Sequence, residues 1–341
     1  MTTGELRVKP DDWPRRSWLG RLFGHRIAHR TFTRRDRKAP RDDSAVADID
    51  ESQGMARRMI AEDRYVFVLL NEAAQDIDNL DAQVAWEALS EQMALVPRGT
   101  VPVVRNDGRS ELCNVPAFYI DRYAVTNRQY QRFLRAGGYD RLEIWPPEVW
   151  PSLMRFVDRT GRPGPLDWER GTYTAGKGSH PVVGICWYEA LAYARWVGKR
   201  LLTAAEWQKA GGWPDHLSGG ICNRFPWGDV FDPSRMNLWV SGLGQTVSVR
   251  DFSNGSTLNG IYQMTGNVWE WLDDPLDSIP CQTGETFHSA KPLRRIIGGA
   301  YNTYLSGEVT CHFVTGQPEL DRRENIGFRC AVSIDRLRPG P

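Results

Sequence analysis

The segment NGIYQMTGNVWEW, residues 259–271, joins a turn sequence to a short run rich in tryptophan. Its Gly-Asn pair, Gly266 and Asn267, allows a tight backbone turn. Because side chains alternate along an extended chain, Trp269 and Trp271 should share one face and Glu270 should lie on the other. A carboxylate beside a turn rich in backbone carbonyls offers the hard oxygen ligands that calcium prefers. The pattern therefore predicts an extended segment that leaves a tight turn and carries a candidate cation ligand.

The composition around this segment is that of a loop-rich globular protein. The chain has 341 residues, of which 41% are hydrophobic and 25% charged, and it contains 14 tryptophans, 32 glycines and 21 prolines. These numbers favour a fold in which bulky indoles, rather than long helices, fill the core. The 43 basic and 42 acidic residues nearly cancel, so no global field attracts nucleic acid or a membrane.

The cysteines favour a reducing compartment. The six cysteines form no CxxC pair and show no metal-binding spacing with histidine. Neither a zinc ribbon nor a dense disulfide scaffold is therefore indicated. No apolar run approaches the roughly 18 residues of a membrane span, and Glu5, Asp11 and Asp12 stand where a signal peptide would need an apolar core. We therefore expect a cytoplasmic protein without a transmembrane segment.

A basic arm is predicted over residues 1–55. Between Trp18 and Arg30, apolar side chains recur at helical spacing among arginines, as in a short amphipathic helix. The apolar stripe consists of Trp18, Leu19, Leu22, Phe23 and Ile27. Two interpretations stay open: a docked or disordered tail, and an arm that binds an acidic protein or an anionic membrane surface. His25 and His29 could present two metal ligands on one helix face, but no third ligand is identifiable and the sequence does not favour that site.

Two further regions follow the arm. Residues 56–95 show apolar residues at three- and four-residue spacing on both sides of the break DNLD, which predicts a helical hairpin packed on the next domain. Residues 96–341 change to short apolar segments and many turns, which predicts an α+β domain with irregular connections. In that domain a helix should begin at the N-cap Thr126 and end at Gly137 and Gly138.

Six strings of the third region resemble the formylglycine-generating enzyme family, also called the sulfatase-modifying factor domain, in the family's order. The strings are FYIDRYAVTNRQYQRFL (118–134), HPVVGICWYEALAYARWVGKRLLTAAEWQKA (180–210), FPWGD (225–229), NGIYQMTGNVWEW (259–271), RIIGGAY (295–301) and NIGFRCAV (325–332). The resemblance covers nearly all of residues 96–334 and implies a variant of the C-type lectin fold. It says nothing about residues 1–95.

The resemblance also implies a calcium site. Family members bind calcium with a side-chain oxygen, two backbone carbonyls and a glutamate. The matching positions here are Gln263, Gly266, Val268 and Glu270. The family usually has asparagine at the first position, and the alternative is that Glu270 caps backbone amides without a metal. A second family calcium site, after the position of Asn237, should be absent because the following loop lacks the required aspartate.

The family's catalytic centre is missing from the matching stretch GGAYNTYLSGEVTCHF, residues 298–313. Formylglycine-generating enzymes bind copper(I) through two cysteines, which fall here at Thr303 and Glu308, while the family's active-site histidine falls at Tyr304. A hydroxyl and a hard carboxylate do not replace soft thiolates, so copper and formylglycine-generating activity are not expected. We interpret Cys311 as a structural thiol, with His312 on its opposite side if the segment is extended. Cys330 should be a free thiol, because Ala194 occupies its family partner's position.

Two classes of function remain open. The first is a non-catalytic module or scaffold whose cleft recognises a peptide, a small molecule or a protein partner. The predicted cleft residues are Trp269, Tyr301, Asn302, Thr303, Tyr304, Glu308 and Asn325. The alternative is an oxidoreductase of the wider family that holds non-heme iron near Tyr304, Glu308 and Trp269. Iron oxygenases need about three histidine or carboxylate ligands, and residues 1–95 offer only His25 and His29.

Overall fold

The computed structural model describes residues 54–71, 77–104, 110–212, 222–276, 279–280, 286–287 and 289–340. The predicted amphipathic stripe of the basic arm, with His25 and His29, lies outside the described residues.

The described chain begins with helical segments that are built into the domain. Residues 54–61 are helical, and helix α1 (Tyr65–Leu69) and helix α2 (Asn79–Gln92) follow. All five residues of α1 are buried. The Lys199 ammonium donates to the Tyr65 hydroxyl at 2.9 Å, and Leu70 forms a β-bridge with Leu337 near the other end of the domain. Burial and hydrogen bonding therefore connect this segment to the domain that follows it.

The predicted boundary at residue 96 falls inside a sheet. Strand β1 (Met93–Val96) pairs antiparallel with β4 (Phe118–Asp121), which also pairs with β11 (Ala331–Ser333). Strands β2 (Gly99–Val104) and β3 (Ser110–Val115) form a separate antiparallel hairpin. Residues 93–95, predicted as the end of a helical hairpin, are thus an edge strand of the domain's own sheet.

A second sheet carries the tryptophan-rich segment. Its strands are β5 (Trp269–Leu276), β8 (Leu293–Ile297), β9 (Val314–Pro318) and β10 (Ile326–Gly327). The strand order is β10-β5-β8-β9, in which β10 and β5 are parallel and the other pairs are antiparallel. A short ribbon pairs β6 (Ile279–Pro280) with β7 (Thr286–Phe287). The extended segment predicted at 269–271 is therefore the start of an interior strand.

Three further helices follow: α3 (Asn127–Arg135), α4 (Trp187–Trp196) and α5 (Ala204–Gly211). Helix α3 packs against α4, and α5 packs against strands β2, β3 and β5. The predicted N-cap Thr126 is confirmed, because its hydroxyl accepts from the Gln129 amide at 3.3 Å in a capping box. Short 3-10 turns connect the elements. They are Leu142–Ile144, Pro147–Arg155, Pro233–Arg235, Trp239–Ser241, Ser253–Gly255, Ser306–Val309 and Ile334–Arg336.

Tryptophan does fill the core, as the composition suggests. The largest fully buried side chains include Trp145, Trp196, Trp207 and Trp271. Helices and mostly antiparallel sheets are mixed along the chain, so the prediction of a loop-rich α+β fold is confirmed. In the described part of the chain, no helix has the length and apolar character that crossing a membrane requires.

Candidate functional site

The Gly-Asn turn that precedes β5 is held by a network of amide side chains. Gly266 and Asn267 have φ angles of 78° and 67°, the left-handed conformation that glycine and asparagine tolerate best. The Asn267 side chain accepts from the Val247 amide at 2.9 Å and from Asn237 Nδ2 at 3.1 Å, and donates to Gln263 Oε1 at 2.7 Å. This turn therefore fixes the entry of the chain into the second sheet.

Glu270 forms a buried ion pair with Arg329. The Arg329 Nε donates to the two carboxylate oxygens at 2.9 and 2.8 Å, and Nη2 donates to Oε1 at 2.7 Å. Trp207 Nε1 adds a third donor group, 2.7 Å from Oε2. Glu270 is 2% exposed and Arg329 1%, so both charges depend on each other and on these hydrogen bonds.

This geometry argues against the calcium site predicted from the sequence. The Glu270 carboxylate is neutralised by a guanidinium, and calcium would have to displace it. The Gln263 side-chain oxygen accepts from Asn267, and its amide nitrogen donates to the Ser248 and Asp251 carbonyls. The side-chain oxygens of the predicted calcium ligands are therefore already bonded to other protein groups and do not form a set of free ligands. The predicted ligands are Gln263, Gly266, Val268 and Glu270. The alternative prediction, that Glu270 caps backbone amides, does not describe the observed contacts either. The Glu270 carboxylate accepts from the side chains of Trp207 and Arg329.

The stretch 298–313 begins with a turn in which the Thr303 side chain is hydrogen-bonded to the backbone of Ala300. Gly298 and Gly299 have φ angles of 101° and 75°. The Thr303 hydroxyl then accepts from the Ala300 amide at 2.9 Å, and the Thr303 amide donates to the Ala300 carbonyl at the same distance. Thr303 is buried, whereas Glu308 lies half-exposed on the 3-10 turn Ser306–Val309. The Thr303 hydroxyl is already hydrogen-bonded, and the Glu308 side chain is a hard carboxylate. Neither group suits copper(I), which prefers soft thiolate ligands.

Cys311 is a core residue. It is fully buried, and a Cβ on Gly211 would lie 3.2 Å from its sulfur. Burial, with a smaller effect of the neighbouring Cys222 thiol, raises the pKa of Cys311 well above its usual value, which disfavours the nucleophilic thiolate. Cys311 and His312 lie in a turn, so the extended geometry on which the opposite placement of His312 depended does not occur; His312 Nε2 is 3.3 Å from the Cys222 carbonyl oxygen. Cys330 is a buried free thiol.

The structure brings four of the predicted cleft residues together. The Trp269 amide donates to the Asn325 carbonyl at 2.9 Å, and Asn325 Nδ2 donates to Asn302 Oδ1 at 2.9 Å. The Tyr301 amide donates to the Asn267 carbonyl at 3.0 Å, which ties the cleft to the Gly-Asn turn. Burial and then the neighbouring Glu324 raise the pKa of the Tyr301 hydroxyl, so it stays protonated as a hydrogen-bond donor. Among the hydrogen bonds, ion pairs and ring contacts of the described residues, none joins Tyr304 or Glu308 to Trp269.

An exposed apolar rim adjoins Thr303; it contains the predicted cleft residue Tyr304 and two residues that the sequence analysis did not single out, Trp239 and Leu305. The Trp239 amide donates to the Thr303 carbonyl at 3.3 Å, which places the turn Trp239–Ser241 beside residues 303–305. Tyr304 is 79% exposed, Trp239 60% and Leu305 51%. We call these three side chains the rim. The sequence signal was the apolar run Leu238–Val240 in a loop without regular periodicity.

No redox metal centre is evident from the donor groups. Among the residues that the structure describes, no three histidine, cysteine, aspartate or glutamate side chains converge in a way that could hold a metal ion. His25 and His29, the ligands available to the iron alternative near the N-terminus, lie outside those residues.

The fold and site define an α+β domain whose cleft is built on a Gly-Asn turn, an interior Glu-Arg pair and a double-glycine turn. The family model of the sulfatase-modifying factor enzyme 1-like domain matches residues 82–334. This chain belongs to that family, and the family prediction is thereby confirmed. The match begins inside α2, fourteen residues before the boundary predicted at residue 96.

Several curated proteins are similar to the chain. A hercynine oxygenase of Mycolicibacterium smegmatis is 33% identical over 182 residues, which are 51% of this chain and 41% of that protein. The serine/threonine-protein kinase Pkn1 of Chlamydia trachomatis serovar L2 is 33% identical over 264 residues, 74% of this chain and 40% of the kinase. The chain thus spans about two fifths of the length of these two relatives. A formylglycine-generating enzyme of Thermomonospora curvata is 31% identical over 229 residues, 55% of this chain and 73% of the enzyme.

Among solved structures, the crystal structure of CarF covers 72% of this chain and 98% of its own, with 21% identity and a TM-score of 0.48. PvdO from Pseudomonas aeruginosa covers 70% of this chain and 93% of its own, with 22% identity and the same TM-score.

Proposed function

We propose that this domain is a non-catalytic recognition module that binds an apolar segment of a protein or peptide partner at its cleft and rim. The observation that carries the proposal is the fate of the two copper positions. Thr303 is buried with its hydroxyl on the Ala300 amide, and Glu308 is a half-exposed carboxylate. The backbone hydrogen bonds of the cleft are present, but a threonine and a glutamate stand at the positions of the two copper-binding cysteines.

The rim supplies a surface suited to recognition. Single exposed apolar residues are ordinary on a protein, but Tyr304, Trp239 and Leu305 lie on two segments that a backbone hydrogen bond joins, and grouped exposed apolar residues mark interaction sites. Tyrosine and tryptophan combine large contact area with few rotatable bonds, which makes them the usual anchors of protein interfaces. The turns that carry them are fixed by backbone hydrogen bonds, so little entropy is lost on binding.

The relatives also support a module that is not tied to one reaction. Members of the family include proteins named for an oxygenase, a kinase and a formylglycine-generating enzyme. A frame shared by proteins with such different names is consistent with function residing in the site residues and not in the fold.

The absence of formylglycine chemistry can be tested directly. Purified protein is incubated with a cysteine-containing sulfatase-type peptide, copper(I) and oxygen, with the Thermomonospora curvata enzyme as positive control. We expect no aldehyde product by mass spectrometry. An aldehyde that disappears in the Cys311→Ser variant would show that the catalytic centre has moved along the chain and would overturn the proposal.

The recognition surface can be tested with a displayed peptide library. Peptides rich in apolar residues should be enriched by the native protein and not by the double variant Trp239→Ser, Tyr304→Ser. Because both side chains are exposed, each change should alter the free energy of unfolding by less than about 0.5 kcal/mol. Trp271→Ala, a buried control, should cost roughly 3–5 kcal/mol. Equal enrichment by native protein and double variant would contradict the rim as the binding site.

An iron-dependent oxidoreductase is the second candidate, and the similarity to hercynine oxygenases favours it. It would use the cleft near Tyr304, Glu308 and Trp269. The described residues supply no group of three suitable ligands there, which is why we place it second. Iron that copurifies in stoichiometric amount would reverse this order.

A further inference from the structure

A cavity in the described part of the chain shares no lining residue with the cleft. It has a volume of about 710 Å³ and is bounded by helix α2, strand β4 and the segment 334–340. That volume falls within the range of roughly 300–1,000 Å³ found for small-molecule sites. The Arg338 amide donates to the Leu69 carbonyl at 2.9 Å, and Leu337 forms a bridge with Leu70, so the segment that closes the cavity is fixed to the N-terminal helices.

Aromatic and apolar side chains supply one part of the cavity lining. Trp86 from α2 and Tyr119 from β4 stand edge to face, with ring centroids 6.3 Å apart and an interplanar angle of 61°. The buried Leu337 lies beside them in the lining. Such walls favour a flat apolar body, because an added aromatic ring can pack against both rings and the leucine.

Arg338 supplies the charge. It lines the cavity, and within the described residues no side-chain hydrogen bond or ion pair is found for its guanidinium; the Nη2 atom is buried without an acceptor. Partial burial lowers the pKa of Arg338, because the half-buried guanidinium loses part of its hydration. A buried donor without a partner is costly, and a ligand that supplies an acceptor removes that cost.

We propose that this cavity binds a small carboxylic acid with an aromatic body. The ligand carboxylate pairs with the Arg338 guanidinium, which matches a carboxylate in a two-pronged, charge-assisted hydrogen bond. The aromatic body packs against Trp86 and Tyr119. Glu87 also lines the cavity, where Gln83 Nε2 donates to its carboxylate at 3.3 Å, so it opposes an anionic ligand and limits the affinity.

Calorimetric titration of the whole protein with indole-3-acetate and indole-3-acetamide separates charge from shape. The two probes differ in one group, and we expect the acetate to bind at least roughly tenfold more tightly, as a charge-assisted hydrogen bond implies. This comparison needs no variant. Equal affinity for both probes, or no binding of the acetate at millimolar concentration, would overturn the proposal.

Three variants locate the interaction. Arg338→Gln should reduce acetate binding to the level of the acetamide and leave acetamide binding unchanged. Glu87→Gln should strengthen acetate binding by removing a like charge. Arg155→Gln makes the same charge change at an exposed arginine outside the cavity lining and should have no effect. Acetate binding that survives Arg338→Gln, or falls equally in the Arg155 control, would show that the cavity is not the site.

Discussion

At the scale of single residues, the Glu270–Arg329 pair decides how the Gly-Asn turn functions. The sequence places a carboxylate after the turn, and the alternation of Trp269, Glu270 and Trp271 is visible in it. It does not show that a guanidinium 59 positions away reaches that carboxylate. Contacts at such separation depend on the packing of β5 against β10, so the sequence alone suggested a metal where the structure has an ion pair.

Glu270→Gln should therefore destabilise the protein whether or not calcium is present. The change leaves the Arg329 charge buried without a counter-ion, which typically costs about 3–5 kcal/mol. Urea unfolding in calcium buffer and in chelator should show the same loss. A loss that appears in calcium buffer and vanishes in chelator would identify Glu270 as a calcium ligand and contradict the ion-pair account.

Asp158 gives a residue-scale prediction about pH. Burial raises its pKa, while hydrogen bonds from the Gly171, Thr160 and Arg162 amides and the Thr160 hydroxyl lower it; the hydrogen bonds prevail and the pKa lies below its usual value. A lowered carboxyl pKa stabilises the fold above its unfolded pKa, and this contribution is lost as the pH falls through the folded pKa.

At neutral pH, Asp158→Asn should thus lower the free energy of unfolding by roughly 1–3 kcal/mol. The difference between native protein and variant should shrink below about pH 4, where the unfolded carboxyl is protonated. Denaturant unfolding from pH 3 to pH 7 measures it. A difference that does not change with pH would show that the Asp158 charge has no part in holding this loop.

At the scale of secondary-structure elements, local signals predicted helix ends well and domain ends poorly. The N-cap Thr126 follows from capping, and the extended segment at Trp269 follows from alternation; both are properties of neighbouring residues. By contrast, Met93–Val96 continues an apolar helical pattern in the sequence, and its pairing with Phe118–Asp121 makes it a strand. A short apolar run takes the conformation of its partner, which the run itself does not specify.

Truncation tests whether α1, α2 and β1 are part of the domain. A chain that starts at residue 97 loses an edge strand, the five buried residues of α1, and the hydroxyl that Lys199 contacts. At roughly 1.5–3 kcal/mol for each large buried side chain, this loss is as large as a typical stability of about 5–15 kcal/mol. We expect the 97–341 chain to lack a cooperative thermal transition.

A chain that starts at residue 56 is the matched control and should keep that transition. We propose that residues 1–55 contain an arm for an acidic partner or anionic membrane surface, so this chain should also fail to sediment with anionic lipid vesicles that retain the 341-residue protein. Cooperative melting of the 97–341 chain would contradict the integrated role of the N-terminal helices.

At the scale of the whole molecule, the chain has the fold of its family, but the residues at the family's copper-binding positions are different. The ordered motifs allowed the fold to be predicted from sequence, because the turns and interior residues that they contain are what the frame requires. Of the rim, only Tyr304 was predicted, since the exposure of Trp239 and Leu305 is a property of the assembled surface. The substitutions at Thr303 and Glu308 were visible in the sequence, and the structure adds that the Thr303 hydroxyl accepts a hydrogen bond from the Ala300 amide.

Metal analysis of the purified full-length protein tests the central claim, that the cleft is a recognition site and not a redox metal centre. Protein produced in cells supplied with iron and copper, and passed through gel filtration, is measured by inductively coupled plasma mass spectrometry. We predict iron and copper far below one atom per chain, in the native protein and in Glu308→Ala alike. One atom of either metal per chain, lost in Glu308→Ala, would contradict the account and identify the cleft as a metal-dependent active site.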